Sequence, residues 1–465
     1  MALSKVFERF AKDCPLPVMV RGTLEWALAA EQLNQIFKQT AQQQYVSELA
    51  FSTVADLMFM VVAKTRKSMH AAYQAHQESI QVSVKSVYNK LNHLEPAVSA
   101  ELVRRTAVSF DGVIRQMEGE LPALLPGYRV RILDGNHLAA TQHRLKELRT
   151  LRGGPLPGQA LVVLDPQTKL ITAVYPCEDG HTQERSVLQD VIEDLQPGEV
   201  WIADRNFCTS LFLFEIALNQ SFFVIREHAA NVRYETVGPQ RCVGRSDSGE
   251  VFQQKIRILN DFGGVIEARR ITVKLDRKTE DGDLEIHILT NLPEEVEPIA
   301  IAQAYRSRWT IEKAFNELTL SLDSEINTLG YPRAALFGFC IGVVIYNVLS
   351  VVKASLRAAH GVDKIEKDLS NHYVADEISG VWRGMMIAIP ATHWTDAFRQ
   401  LSAEELAQVL LQLARAVHLP HYQKHPRGAK KPPPKRRGKS PHISTARILN
   451  QRQQRKGQLQ SPGTI

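Results

Sequence analysis

The chain reads as an α/β protein in which a mixed sheet is flanked by helices. A helical region precedes the sheet, a β-rich insertion interrupts it, and a helical region and a basic tail come after it. Three observations predict this. From Gly127 three strand-like runs follow one another, and then helix and strand alternate, the pattern of a mixed sheet covered by helices. Ahead of Gly127, apolar residues recur at helical spacing with few breakers. After Glu227 the helical periodicity fades, and four strand-like runs are separated by Gly and Asp.

Residues 1–122 are expected to be mostly helical. Leu24–Phe37 and Val54–Val62 are rich in apolar residues, and Glu95–Met117 carries them at helical spacing. Ser83 is placed to cap a short helix with Val84, Val87 and Leu91 facing inward. Lys85, Tyr88, Asn89 and Lys90 then face outward. That suits a helix entering a DNA major groove, and plain helical packing accounts for the spacing as well.

The sheet region spans 123–358. Tyr128–Asp134 reads as a strand ending at Asp134. Gln159–Asp165 and Leu170–Pro176 are two more, joined by the turn-like Pro166-Gln167-Thr168-Lys169. Gln183–Leu195 reads as a helix closed by Pro197-Gly198, Val200–Asp204 as a strand, Ser210–Asn219 as a helix and Ser221–Arg226 as a strand. Val232–Val237, Phe252–Leu259, Val265–Leu275 and Leu284–Thr290 form the insertion, about residues 228–296, too long for a connection without structure of its own. Pro298 opens a helix expected to run to about Leu322, and an apolar helix over 331–358 completes the core. Residues 359–420 are expected to be helical.

At 465 residues the chain needs two or three cores. Hydrophobic content of 44% and charged content of 23% exclude a low-complexity or disordered chain. Cys14, Cys177, Cys208, Cys242 and Cys340 are odd in number and lack C-x-x-C spacing. They argue for a reducing compartment and against a structural zinc site. Met1–Ser4 opens with no basic stretch before an apolar core, so no secretion signal is expected. Leu336–Val352 has no charge but is short for a membrane span and holds Gly, Asn and Ser, so a buried helix is expected and no membrane.

The charge is uneven. From Ala407 to the end there are thirteen Lys and Arg and no Asp or Glu, so with a net charge of +6 the rest of the chain carries 6 − 13 = −7. Lys430-Lys431-Pro432-Pro433-Pro434-Lys435-Arg436-Arg437 cannot be helical across three prolines. The tail, 421–465, therefore reads as a disordered basic arm suited to phosphate backbones, or more simply as a solubilising tail.

Two carboxylates end apolar runs, Asp134 and Asp204, and a third, Glu312, lies in a helical stretch. Hard divalent ions take oxygen ligands, and phosphoryl transfer uses two such ions. Either aspartate alone is equally an acidic turn residue. Tyr305, Arg308 and Glu312 are spaced by three and four, on one helical face, which favours Glu312 over Glu317. Tyr305 and Arg308 then suit phosphate contacts, or serve as a surface tyrosine and an Arg308–Glu312 ion pair. Trp309 reads first as core. Asn136 and His137 follow Asp134 closely enough to orient water or phosphate. Glu178, Asp179 and His181 resemble a metal cluster by composition, but Asp179-Gly180 signals a turn, with Thr182 placed to cap the next helix.

Tyr305, Arg308 and Glu312 match Y-x-x-R-x-x-x-E, most of the Y-R-E-K signature. With Asp134 and Asp204 the chain resembles the bacterial insertion-sequence DDE transposases, in the insertion-sequence-four family. Leu133-Asp134-Gly135-Asn136-His137, Cys177-Glu178-Asp179-Gly180-His181 and Ala203-Asp204-Arg205-Asn206-Phe207 support this, and similar residues run from about Phe51 to about Asn347. The resemblance implies an RNase H-like fold with a β insertion and a helical N-terminal DNA-binding domain whose contacts include Lys85, Tyr88, Asn89 and Lys90. It implies Asp134, Asp204 and Glu312 as catalytic residues and ligands of two Mg2+ ions, with Mn2+ able to substitute. Tyr305, Arg308 and Trp309 would contact DNA.

The implied reaction is cut-and-paste transposition at terminal inverted repeats. It proceeds by hydrolysis and 3′-hydroxyl transfer to target DNA, in a homodimer within the bacterial cytoplasm at the nucleoid. The signature lysine is replaced by Thr319, and a second lysine common in the family by Asn316. These changes keep open a transposase-derived DNA-binding protein that no longer cuts. The same carboxylates would also serve a structure-specific nuclease.

Overall fold

The helical periodicity ahead of Gly127 becomes seven helices in the computed structural model, which describes residues 4–44, 48–228, 230–279, 282–320, 322–424 and 442–460. They are α1 (Lys5–Asp13), α2 (Pro15–Ala27), α3 (Ala30–Thr40), α4 (Phe51–Val62), α5 (Met69–Ala75), α6 (Val84–His93) and α7 (Pro96–Gln116). The apolar-rich stretch Leu24–Phe37 is divided between α2 and α3 at Leu28–Ala29, where the backbone leaves helical geometry. Ser83 caps α6 as its position predicts, accepting the Ser86 N–H.

Strands follow as β1 (Arg129–His137), β2 (Gly154–Leu156), β3 (Gln159–Asp165), β4 (Leu170–Cys177), β5 (Glu199–Ala203), β6 (Phe222–Arg226), β7 (Arg233–Ser246), β8 (Gly249–Leu259), β9 (Val265–Leu275) and β10 (Glu285–Thr290). Between them lie α8 (Leu188–Glu193) and α9 (Ser210–Leu218). All but β2 join one nine-stranded sheet in the order β4-β3-β1-β5-β6-β10-β9-β8-β7. The β1–β5 and β5–β6 pairings are parallel and the rest antiparallel. The expected β-rich insertion therefore extends the central sheet through the antiparallel pairing of β10 with β6. Unpaired strand edges seek partners, and the exposed side of β6 supplies one.

The central strands are apolar almost throughout because both faces are covered. Every residue of β3 and of β5 is buried. On one face Val130, Ile132 and Val162 pack with α12 (Pro332–His360) and the N-terminal helices. On the other, Leu133 and Trp201 pack with Leu188 and Val191 of α8 and Phe212 and Ile216 of α9. Helix α12 is long and apolar enough to cross a membrane, yet 94% of its apolar window is buried in the fold. A buried Arg131 ties the strands together, pairing with Glu199 at 2.8 Å and Asp165 at 3.4 Å.

The helix expected from Pro298 to Leu322 is instead two, α10 (Pro298–Arg306) and α11 (Trp309–Leu320). At the break the ladder tightens: the Ser307 N–H is shared between Gln303 O and Ala304 O, the Arg308 N–H turns to Tyr305 O, and the Ser307 hydroxyl adds a bond to Gln303 O. After α12 come α13 (Val362–Asp368), α14 (Asn371–Ala388), α15 (Ala391–Phe398) and α16 (Ala403–Ala416). They share a core with the N-terminal helices, in which Phe7 meets Trp394 edge-on at 4.8 Å.

The proline-rich basic run of the tail lies outside the described residues. Beyond it, β11 (His442–Ser444) pairs parallel with β2, and α17 (Thr445–Gln460) comes next. All five cysteines are unpaired.

A cavity of about 620 Å³ opens between α2, α4, α14 and α15, lined mainly by apolar side chains such as Leu24, Met60 and Trp382. Asp56 faces it, and desolvation pushes its carboxyl from 3.8 up to about 6. A carboxyl raised in the fold opposes folding when ionised. The penalty is absent below the unfolded value, grows as pH rises toward 6 and is full above it. Asp56→Asn is therefore expected to stabilise the protein above pH 6 by about 1 kcal/mol, because the open cavity screens part of the effect. Thermal melts at roughly pH 8 and pH 4 check this, with the gain confined to the higher pH.

Candidate active site

Parallel pairing of β1 with β5 ends at Leu133 opposite Ala203, so the next residues of the two strands, Asp134 and Asp204, lie side by side. Neighbouring strands are about 4.8 Å apart, and ligand sites of α/β sheets form at such carboxyl ends. On its other side β1 runs on to His137, pairing Asp134 with Val162 of β3. Asp134 thus ends the strand only toward β5. The antiparallel ladder to β3 carries the backbone three residues further and holds Asp134 within a paired strand.

Each aspartate is fixed by a backbone N–H just after it. Gly135 N donates to Asp134 Oδ1 at 2.9 Å, and Asn206 N donates to Asp204 Oδ1 at 2.8 Å. The free oxygen of Asp134, Oδ2, meets Arg308 Nη1 at 2.7 Å, and Arg308 Nη2 reaches Glu312 Oε1 at 3.0 Å. One guanidinium thereby bridges the strand carboxylate and the helix carboxylate. Desolvation pushes the Asp134 carboxyl up to about 7, against the pull of Arg308 and with the help of Asp204 and Glu184. Burial opposes the charge on Arg308, but Asp134, Tyr305 and Glu312 hold it protonated.

The break between α10 and α11 lets Arg308 leave the helix surface and reach β1. Tyr305, at the end of α10, is buried, and desolvation raises its hydroxyl pKa. Trp309, expected in the core, is half exposed, and the Arg308 guanidinium lies 5.6 Å from its ring centroid. Opening α11 immediately after the break carries the indole to the surface. Asn316 and Thr319 lie on the exposed face of α11, where Thr319 turns its hydroxyl back to Phe315 O at 3.1 Å.

The oxygen-only donor set of Asp134, Asp204 and Glu312 suits a hard divalent ion. The raised Asp134 carboxyl reflects chiefly its burial, with Asp204 and Glu184 adding to it. The structure brings the two aspartates together and holds Glu312 on the guanidinium. Among the described residues no three Asp, Glu, His or Cys side chains are gathered closely enough to hold an ion. The donors fit a divalent metal in chemistry, and Arg308 stands where positive charge is needed.

Two acidic neighbours escape prediction from the sequence. Glu184, in the turn after His181, accepts from Asn206 Nδ2 at 2.9 Å and lies 3.9 Å from His137 Nδ1. Glu325 accepts the Ala139 N–H at 2.9 Å. Their one sequence signal is that Glu184 follows the Cys177–His181 stretch. Asp179 there takes the His181 N–H at 3.0 Å, as a turn residue does, and also binds Ser444 and Arg447. Thr182 caps nothing.

On α6, away from this site, Lys85 and Asn89 are exposed and Tyr88 is half-buried. Lys90 is not outward as expected. Its ammonium donates to Leu49 O at 2.7 Å and lies over the Phe37 ring, so burial lowers its pKa. The long lysine stem reaches the Phe37 ring and the Leu49 carbonyl together.

Residues 125–347 match the family model described as "Transposase DDE domain". No curated protein matches the chain. Among solved structures, the cryo-EM structure of a piggyBac transposase synaptic complex with hairpin DNA aligns over 87% of this chain and 86% of that one. The identity is 10% and the TM-score 0.36.

Proposed function

We propose that this chain is a DDE-type transposase, an enzyme that cleaves DNA, and that it moves a bacterial insertion sequence by cut-and-paste transposition. The side-by-side Asp134 and Asp204, with Glu312 tied to Asp134 through Arg308, carry this reading. The mixed sheet with helices on both faces supports an RNase H-like core. Water attacks the phosphorus at the end of a terminal inverted repeat and the P–O3′ bond breaks, leaving a 3′-hydroxyl and a 5′-phosphate. That hydroxyl then attacks a target phosphodiester and displaces its 3′ oxygen.

Asp134, Asp204 and Glu312 would hold two Mg2+ ions, or Mn2+ in their place, which supply Lewis acidity and a nucleophile at neutral pH. Arg308 neutralises Asp134 and Glu312 in the free protein, and its planar fork suits a backbone phosphate when DNA is present. Tyr305 braces Arg308, and Trp309 offers an exposed ring beside it. Pairing two element ends calls for a homodimer, working in the cytoplasm at the nucleoid.

The test is a labelled duplex carrying the repeat found in the DNA flanking the gene, incubated with protein and Mg2+. A cut at the repeat boundary followed by joined product in a plasmid supports the reading. Cutting without joining would instead identify a structure-specific nuclease, and binding without cutting would overturn cleavage at this site.

Lys85 and Asn89, exposed on the capped helix α6, support α6 as the reader of the repeat. Lys85→Ala is expected to weaken binding and to lower the salt slope by about 1, as loss of one phosphate contact does. Lys90→Ala should leave that slope unchanged and cost about 1 kcal/mol of stability through the lost Leu49 hydrogen bond. Titrations at several salt concentrations, paired with urea unfolding, separate the two.

A further inference from the structure

Glu184 lies against both residues whose backbone N–H groups orient the two aspartates. Its Oε2 accepts from the side chain of Asn206 at 2.9 Å, and the Asn206 N–H holds Asp204 Oδ1 at 2.8 Å. Its Oε1 occupies the space beside Gly135, whose own N–H holds Asp134 Oδ1 at 2.9 Å. A Cβ on residue 135 would stand 2.0 Å from Glu184 Oε1 and 2.5 Å from its Cδ, with no backbone atom among its nearest neighbours. Glycine at 135 therefore leaves room for this carboxylate. The side chain is 17% exposed, so it is largely held within the fold.

We infer that Glu184 is a positioning residue, a strut that sets the spacing of Asp134 and Asp204 by bearing on Gly135 and Asn206. The inference rests on the reading of these aspartates as the cleavage site. It adds a part for the turn after Asp179-Gly180-His181, which spans the gap between β1 and the end of β5. Catalytic groups displaced by about 1 Å lose on the order of 100-fold in rate. Residues that orient metal-site carboxylates cost about 10- to 100-fold when removed.

The experiment measures Mg2+-dependent cleavage of the terminal-repeat duplex by wild type, Asp134→Asn, Glu184→Ala, Glu184→Gln, Gly135→Ala and the Gly135→Ala/Glu184→Ala double variant, with unfolding midpoints for each. Glu184→Ala is expected to lower kcat about 10- to 100-fold with KM for DNA unchanged. Glu184→Gln keeps the acceptor for Asn206 and should restore most of the rate. Gly135→Ala evicts the flexible end of Glu184, so it should match Glu184→Ala, and the double variant should be no worse than either single one.

Glu184→Ala within twofold of wild type overturns the inference, as do losses that multiply in the double variant. So does a rate loss fully accounted for by unfolding. If wild type itself does not cut, or Asp134→Asn cuts normally, the underlying reading of the site fails instead.

Discussion

Asp134→Asn is expected to lower Mg2+-dependent cleavage by at least about 10³-fold while leaving duplex binding within a few-fold of wild type. Asparagine keeps an oxygen for the Gly135 N–H and nearly the same volume, so β1 and its ladder to β3 persist. It removes the negative charge that a divalent ion requires and that Arg308 meets at 2.7 Å. Arg308 retains Glu312 at 3.0 Å, so the guanidinium is not left without a partner. The loss therefore belongs to the chemical step. It is measured by single-turnover cleavage at saturating protein, beside a gel-shift titration of the same duplex. Full cleavage by this variant would falsify the assignment of the site.

Asn347→Leu is expected to destabilise the protein by about 2–5 kcal/mol, the cost of leaving two buried polar groups unpaired. β4 is the terminal strand of the sheet, so its outer N–H and C=O groups have no strand to meet. Asn347, fully buried on α12, supplies the partner. Its Oδ1 accepts the Ile171 N–H and its Nδ2 donates to Ile171 O, each at 2.8 Å. Leucine has the same branched arrangement of heavy atoms, is somewhat bulkier, and offers neither group. Because β4 supports β3 and β3 supports β1, cleavage should also fail at a lower temperature. Urea unfolding followed by tryptophan fluorescence checks the first effect, and cleavage rates on a temperature series the second. A shift under about 1 kcal/mol would mean that water replaces the amide at Ile171.

Much of the framework is legible along the chain because helix and strand periods are local. β3 falls where its apolar run predicts, α6 begins after Ser83 as a capping residue requires, and the apolar stretch from Leu336 lies in a buried helix. Asp134 and Asp204 stand out because each ends an apolar run, and Glu312 because Tyr305 and Arg308 precede it at helical spacing in the match to the Y-R-E-K signature. Lys90 shows the limit of such reasoning. Helical position places it outward, and only the nearby Leu49 carbonyl and Phe37 ring turn it in.

Sequence by itself determined the element types, the acidic residues and the basic character of the tail, since each is carried by neighbouring residues. Tertiary structure alone decided the register that sets Asp134 beside Asp204, and the extension of the sheet by β10. It also decided the break that sends Arg308 to a carboxylate 174 residues away and the lodging of Glu184 beside Gly135. The physical reason is range. Periodicity and capping act over a few residues, whereas pairing partners, burial and the charge around a carboxyl depend on packing between segments far apart in the chain.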